Sequence, residues 1–212
     1  MSVADTYQEN NITSPLETFE WTRLWQEHTE DKTTKRVLVI GDSISSNYRW
    51  RMVDILKGEI HPDGFSSSKG IDNPFLLEEI KLFIKQSLKY NAVHVNNGLH
   101  GFHLSADEYK KHYKVFLTEL KKLLPDTPII VGLTTPVRNK ENLQELGERN
   151  AEVLKRNQAA REIAEELNLP VNDLYPVLLD RPDVCTDGVH QTEEGNMLLA
   201  EKVVEAIKMY IK

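Results

Sequence analysis

The run Arg36-Val37-Leu38-Val39-Ile40 constrains this chain most, because it is apolar without a break after its first residue and stops abruptly at Gly41-Asp42-Ser43. A strand with one wet face alternates apolar and polar side chains; a strand without alternation is covered on both faces, as in parallel sheets held between helices. A second run, Ala92 to Val95, ends in Asn96-Asn97-Gly98, and a third, Pro128 to Leu133, ends in Thr134-Thr135-Pro136. Between the first two, Leu76, Leu77, Ile80, Phe83, Ile84 and Leu88 recur at helical spacing. Further helices are expected near 50–57, 107–124, 141–167 and 192–211, with a short strand around Val171. Strand alternating with helix predicts an α/β fold, a three-layer α/β/α sandwich around a mostly parallel, flavodoxin-like doubly wound sheet.

Two stretches fit this alternation less directly. Residues 59–65 read as a strand or loop closed by the turn Ser66-Ser67-Ser68-Lys69-Gly70. Near the start, the spacing of Leu16, Phe19, Trp21, Leu24 and Trp25 predicts a short amphipathic helix, begun by Ser14-Pro15 and packed on the domain. Residues 1–34 are accordingly expected to form an N-terminal extension, and 35–212 one domain, a length a single core can serve.

A formal net charge of −7 argues against a nucleic-acid partner, which needs a basic stripe, and Arg49-Trp50-Arg51 is too short to supply one. Cys185 is the sole cysteine, so packing must stabilise the chain without an internal disulfide. The N-terminal residues lack the basic-then-apolar order of a secretory signal, and no apolar stretch approaches a membrane span. The expectation is a soluble, cytoplasmic protein with no membrane partner.

In an open parallel sheet, functional groups gather where strands deliver their C-terminal ends into loops. Ser43 stands at the first such end. Just before the last helix, Asp187-Gly188-Val189-His190 sets a carboxylate and an imidazole three positions apart. Asp187 can hold the Nδ1 proton of His190 while Nε2 faces the Ser43 hydroxyl. Either motif alone is commonplace in turns and helix caps. A strand-end serine near the start and Asp-x-x-His near the end of one α/β chain carry more weight together.

Gly41-Asp42-Ser43 resembles the first sequence block of the SGNH (GDSL-like) hydrolase family, and Asp187-x-x-His190 resembles its last, over a span from Arg36 to Ile211. The resemblance implies a serine esterase with Ser43 as nucleophile, His190 as base and Asp187 as its partner, acting without metal or cofactor. It further implies a small-molecule or carbohydrate ester as substrate, often an acetyl ester. The run Asn96 to His103, with Thr134 to Val137, is similar to a carbohydrate-esterase-type branch. Members draw further oxyanion donors from a glycine amide, which Gly70 resembles by position, and from the asparagine of a Gly-x-Asn-Asp block. This chain has Gly98-Leu99-His100-Gly101 there. His100 thus replaces the asparagine, and Asn97 is a second candidate for the same role.

Competing classes fit less well. An α/β-hydrolase elbow needs Gly-x-Ser-x-Gly, and Gly41-Asp42-Ser43-Ile44-Ser45 lacks the second glycine. No Gly-x-Gly-x-x-Gly follows the first strand, which sets dinucleotides aside. His94, His100, His103 and His112 crowd one region, but His94 lies within a buried run and His112 on the next helix, so no zinc set is expected. The non-enzymatic alternative is a sugar- or protein-binding module that keeps the fold without turnover. Trp21, Trp25 and Trp50 are read as packing residues, and Arg138 as a candidate contact to an anionic or hydroxyl-rich substrate.

Overall fold

A computed structural model describes residues 14–211. Its main sheet has six strands. β1 (Thr22–Trp25) pairs antiparallel with β3 (Ile60–Ser67), which runs parallel to β2 (Lys35–Gly41); β4 (Ala92–Val95), β5 (Ile129–Gly132) and β8 (Val171–Asn172) continue in parallel on the other side of β2. With the edge strand set aside, the parallel strands lie in the flavodoxin-like order, in which the second crosses to one side of the first and the rest to the other.

Among the described residues six α-helices cover the sheet: α1 (Ser43–Leu56), α2 (Pro74–Gln86), α3 (Ala106–Leu123), α4 (Asn150–Glu166), α5 (Tyr175–Leu179) and α6 (Glu193–Lys208). The side chains of β2 divide with period two, as a strand must. Leu38 and Ile40 pack with α2, α3 and α4, while Val37 and Val39 pack with α1, α5 and α6. The unbroken apolar run is therefore the signature of two cores sharing one strand.

Two expectations are corrected. No helix forms between Leu16 and Trp25; the segment adds β1 to the sheet edge, and Leu16 and Phe19 stand 58% and 80% exposed. Residues 1–13 of the expected extension lie outside the described residues. Of the two readings open for the stretch after Glu59 the strand forms, as β3, eight residues long and buried throughout. Its sequence, Ile-His-Pro-Asp-Gly-Phe-Ser-Ser, has poor strand propensity, and tertiary partners supply what propensity does not. Arg36 Nε and Nη2 donate to the two oxygens of Asp63 at 3.0 and 2.8 Å, while Nη1 and the same Nη2 donate to the His28 and Glu27 carbonyls. A fully buried carboxylate is thus paired and the chain after β1 is tied down.

The helix expected over 141–167 begins only at Asn150. Ahead of it β6 (Arg138–Asn139) and β7 (Asn142–Leu146) form a small hairpin. Asn139 and Asn142 turn their side-chain oxygens onto the amides of Glu141 and Gln144, local bonds that compete with a helix.

Beneath the sheet's C-terminal edge, His94 is fully buried. Asn172 Nδ2 donates to its Nε2 at 3.1 Å, leaving Nδ1–H for the Tyr48 hydroxyl at 3.2 Å. Burial pushes the imidazole down to about 3, against 6.5 for the free group. As pH falls between those values, the unfolded chain takes up a proton that the folded one refuses, so this part of the stability is complete above 6.5 and drains away on acidification. The drop in urea midpoint between about pH 7 and about pH 4.5 is expected to be shallower for His94→Asn than for the unaltered protein. Equal slopes would place the acid sensitivity elsewhere.

Candidate active site

Ser43 is the first residue of α1, and the way the chain enters that helix positions it. Asp42 is the N-cap: its Oδ1 accepts from the Ile44 amide at 2.9 Å, and its backbone oxygen accepts from the Ser45 hydroxyl at 2.7 Å and the Ser46 amide at 3.0 Å. Gly41 is needed for space. A Cβ there would lie 2.5 Å from both the Asn96 oxygen and Ser45 Oγ, so a side chain would push β4 and α1 away. Burial raises the Asp42 carboxyl above its ordinary range, opposed by the nearby His100 ring and the capped amides. At the helix start, the Ser43 amide has no intrahelical acceptor, and the positive end of the helix dipole surrounds it.

The opposing loop precedes α6. Asp187 divides its two oxygens: Oδ1 accepts from the amides of Val189 (3.0 Å) and His190 (2.8 Å), and Oδ2 lies 2.7 Å from His190 Nδ1. The backbone bonds fix the carboxylate plane, and the carboxylate places the proton on Nδ1. His190 Nε2 then faces Ser43 Oγ at 2.9 Å with its lone pair free to accept. Thr186 holds the loop through two bonds to the His190 carbonyl, and the Arg138 amide holds the Gly188 carbonyl at 2.7 Å.

The structure thus brings Ser43, His190 and Asp187 into one hydrogen-bonded line. Gly70 packs against the third strand-end loop so closely that a Cβ on it would meet Gly101 Cα at 2.9 Å. Asn97 is almost fully buried; its Nδ2 donates to the Lys69 carbonyl at 3.2 Å, next to Gly70, and its Oδ1 has no partner among the described residues. His100 instead turns Nδ1 towards Glu17 at 3.3 Å, sharing that carboxylate oxygen with the Gly101 amide. The side-chain bonds of both donor candidates go to these neighbours and not to Ser43.

Arg138 is corrected as a substrate contact. Its guanidinium is buried and donates to the carbonyls of Leu143, Leu178 and Leu179, joining the hairpin to α5. Another buried arginine, Arg156 on α4, escaped the sequence reading because Val153-Leu154-Lys155-Arg156-Asn157 looks like ordinary helix surface. It donates to the carbonyls of Gly98 (3.1 Å), His100 (2.7 Å) and Gly101 (2.6 Å), between the rings of Phe102 and Tyr109. Turning these carbonyls towards α4 fixes the loop that carries both donor candidates. Among the described residues, no three His, Cys, Asp or Glu side chains converge as metal ligands, and no helix is long and apolar enough to cross a membrane. His103, for its part, pairs with Asp72 at 2.8 Å and bridges the Gly70 and Gly101 loops.

Residues 92–203 match the family model of the GDSL-like Lipase/Acylhydrolase. The chain belongs to this family. The matched range contains Asp187 and His190 and begins downstream of Ser43. The GDSL esterase/lipase WDL1 of Oryza sativa subsp. japonica is 28% identical over 120 residues, a match covering 51% of this GDSL-like chain and 46% of that protein. The match spans about half the length of that relative. Among solved structures, the acetyl xylan esterase AlAXEase is 21% identical with a TM-score of 0.64, over 81% of this chain and 98% of that one. A GDSL-like lipase from Bacteroides thetaiotaomicron VPI-5482 is 19% identical with a TM-score of 0.66, over 82% and 88%. Axe2, an acetylxylan esterase from Geobacillus stearothermophilus, is 19% identical with a TM-score of 0.61, over 84% and 96%. At these identities the likeness is one of fold.

Two outcomes follow for this GDSL-like site. Burial raises Asp187, but the His190 amide and imidazole and the Val189 amide outweigh it and bring the carboxyl to about 2, from 3.8. Its stabilising contribution is therefore present above pH 3.8 and lost as pH falls through about 2. Carbon-detected NMR of the Asp187 carboxyl should find the midpoint there, and His190→Ala should move it upward. Arg156→Met leaves three buried carbonyls without their donor and is expected to cost about 2–4 kcal/mol in urea unfolding. A loss under about 0.5 kcal/mol would mean the loop holds itself.

Proposed function

We propose that the protein is a serine esterase that hydrolyses small acyl esters, acetyl esters foremost, on carbohydrate alcohols. The unbroken line from Ser43 Oγ through His190 to Asp187, at 2.9 and 2.7 Å, carries this reading. Family membership supports ester hydrolysis. The acetyl xylan esterases among its structural neighbours favour an acetyl group and a sugar alcohol.

In this mechanism, Ser43 Oγ attacks the ester carbonyl as its proton passes to His190 Nε2. The resulting imidazolium keeps Nδ1–H on Asp187, which stays ionised at neutral pH. Collapse of the tetrahedral intermediate breaks the bond to the alcohol, which leaves with the proton from Nε2. Water then gives a proton to Nε2 and attacks the acyl-enzyme. The carboxylic acid departs, and Oγ recovers its proton.

The oxyanion would sit at the start of α1, held by the amides of Ser43 and Gly70 and by one side chain. Asn97 is the better held of the two candidates: it is buried and tied beside Gly70 through Lys69, and the second hydrogen on Nδ2 is unspent. His100 commits Nδ1 to Glu17. Asn97→Ala is therefore expected to lower kcat roughly 10²-fold with little change in KM, and His100→Ala to cost less. The reverse ranking would transfer the donor role to His100.

The decisive experiment is p-nitrophenyl acetate hydrolysis by the unaltered protein and by Ser43→Ala. The variant should lose at least about 10³-fold in kcat. Equal rates would leave a fold-keeping sugar- or protein-binding module as the reading.

A further inference from the structure

A trough of about 440 Å³ lies between the edge strand β1 and the helix α1. Gly64 and Ser66 of β3 form its floor, Arg23 and Trp25 of β1 one wall, and Ser46 and Trp50 of α1 the other. The cross-strand pairs Trp25–Gly64 and Arg23–Ser66 set a large residue beside a small one, which leaves the space. A Cβ on Gly64 would lie 2.7 Å from Arg49 Cδ and 3.8 Å from Trp25 Cβ, so this face of the two strands looks towards α1. By the period of two, Arg23 and Trp21 share that face, and the Arg23 guanidinium lies over the Trp21 ring, 5.2 Å from its centroid.

The trough starts one helical turn from the nucleophile. Ser43, Ser46 and Trp50, spaced by three and four, follow one face of α1; Ser46 is about 4.5 Å and Trp50 about 10 Å further along the axis. Ser66 is in register with Gly41, two residues ahead of Ser43. At the active-site end of β1 the Trp21 ring meets His100 edge-on at 6.4 Å, and the His100 ring is near enough to Asp42 to act on its carboxyl. From Trp21 to Trp25 the wall runs about 14 Å, longer than one pyranose ring.

Packing does not account for Trp25 and Trp50, which remain 44% and 40% exposed. Both are nevertheless held still. Their rings meet edge to face with centroids 4.4 Å apart, and Arg49 lies over both, 3.9 Å from the Trp50 centroid and 5.4 Å from that of Trp25. Trp25 Nε1 donates to Glu27, and the buried Arg49 donates to the Pro62 carbonyl. Fixed aromatic faces among hydroxyls suit a pyranose, whose C–H face is apolar and whose rim is hydroxylated. A wholly apolar partner would strip water from Arg23 without replacing it. We propose that the trough is a subsite for a saccharide chain extending from the esterified sugar, with neutral pyranose units lying on Trp25 and Trp50, so that the preferred substrate is an acetylated oligosaccharide. The inference rests on the esterase reading given above and deepens it.

Calorimetric titration with unacetylated xylotetraose and with methyl xyloside reads the trough without turnover. The tetramer should bind about tenfold more tightly, Trp25→Ala should remove most of that advantage, and Trp25→Phe, which keeps a ring, should restore part of it. Trp50→Ala should act like Trp25→Ala from a separate element, which distinguishes a lost contact from a disturbed β1. Equal affinities for the two sugars, or a tetramer advantage that survives both alanine substitutions, overturns the inference. In turnover, monoacetylated xylotetraose should exceed acetylated methyl xyloside about tenfold in kcat/KM, and both alanine substitutions should bring that ratio towards unity. A tetramer that binds through the tryptophans yet gains nothing in kcat/KM also overturns it, because the bound chain would then not reach Ser43. If neither these esters nor p-nitrophenyl acetate is hydrolysed, the esterase reading fails by itself, and the titrations alone decide whether the trough holds a saccharide.

Discussion

The site depends on how the chain leaves β2. Buried on both faces, that strand has no freedom to place a polar group until its ladder ends at Gly41. There the absence of a side chain lets β4 and α1 close in, Asp42 caps the helix, and Ser43 is presented at the positive end of α1. A negative charge beside that serine would meet the Ser43 amide and the positive end of the helix dipole, both already in place. The position of the hydroxyl is thus a consequence of core packing two residues earlier.

The loops that face Ser43 are irregular, and irregular backbone inside a compact protein must find partners for its carbonyls. Arginine supplies them. Arg156 collects three carbonyls of the 98–101 loop, Arg138 ties the hairpin to α5, and Arg36 secures the segment after β1 while neutralising Asp63. Burying a guanidinium is costly, yet every Nη of these three meets a carbonyl or carboxylate, and the planar fork reaches several at once. This arrangement makes a rigid rim from segments with little regular structure of their own.

That same economy decides what could be read from the sequence. Strands buried on both faces and helices with a clear apolar stripe announce themselves through periodicity, and β2, β4, β5, α2, α3 and α6 were legible for that reason. Ser43, Asp187 and His190 were legible because short-range geometry fixes them: a strand end, and a three-residue offset that lets one carboxylate reach both an amide and an imidazole. β1 and the β6–β7 hairpin were not, and for β3 the sequence left strand and loop both open. Their pairing rests on distant partners such as Asp63 with Arg36, or on Asn side chains capping local turns, and neither leaves a period in the sequence. Arg156 was hidden for a related cause. A charged residue on a polar helix looks solvated until the loop it clamps is folded over it.

The replacement of the third block's asparagine by His100 takes on a different meaning beside these contacts. Asn97 and Gly70 are joined through Lys69, and Gly70 touches Gly101, so the loop after β3 and the loop after β4 form one unit before His100 is considered. An amide buried in that unit does not depend on the residue three positions later. His100 turns its Nδ1 to Glu17, while its ring stays near enough to Asp42 to oppose the rise that burial imposes on that carboxyl.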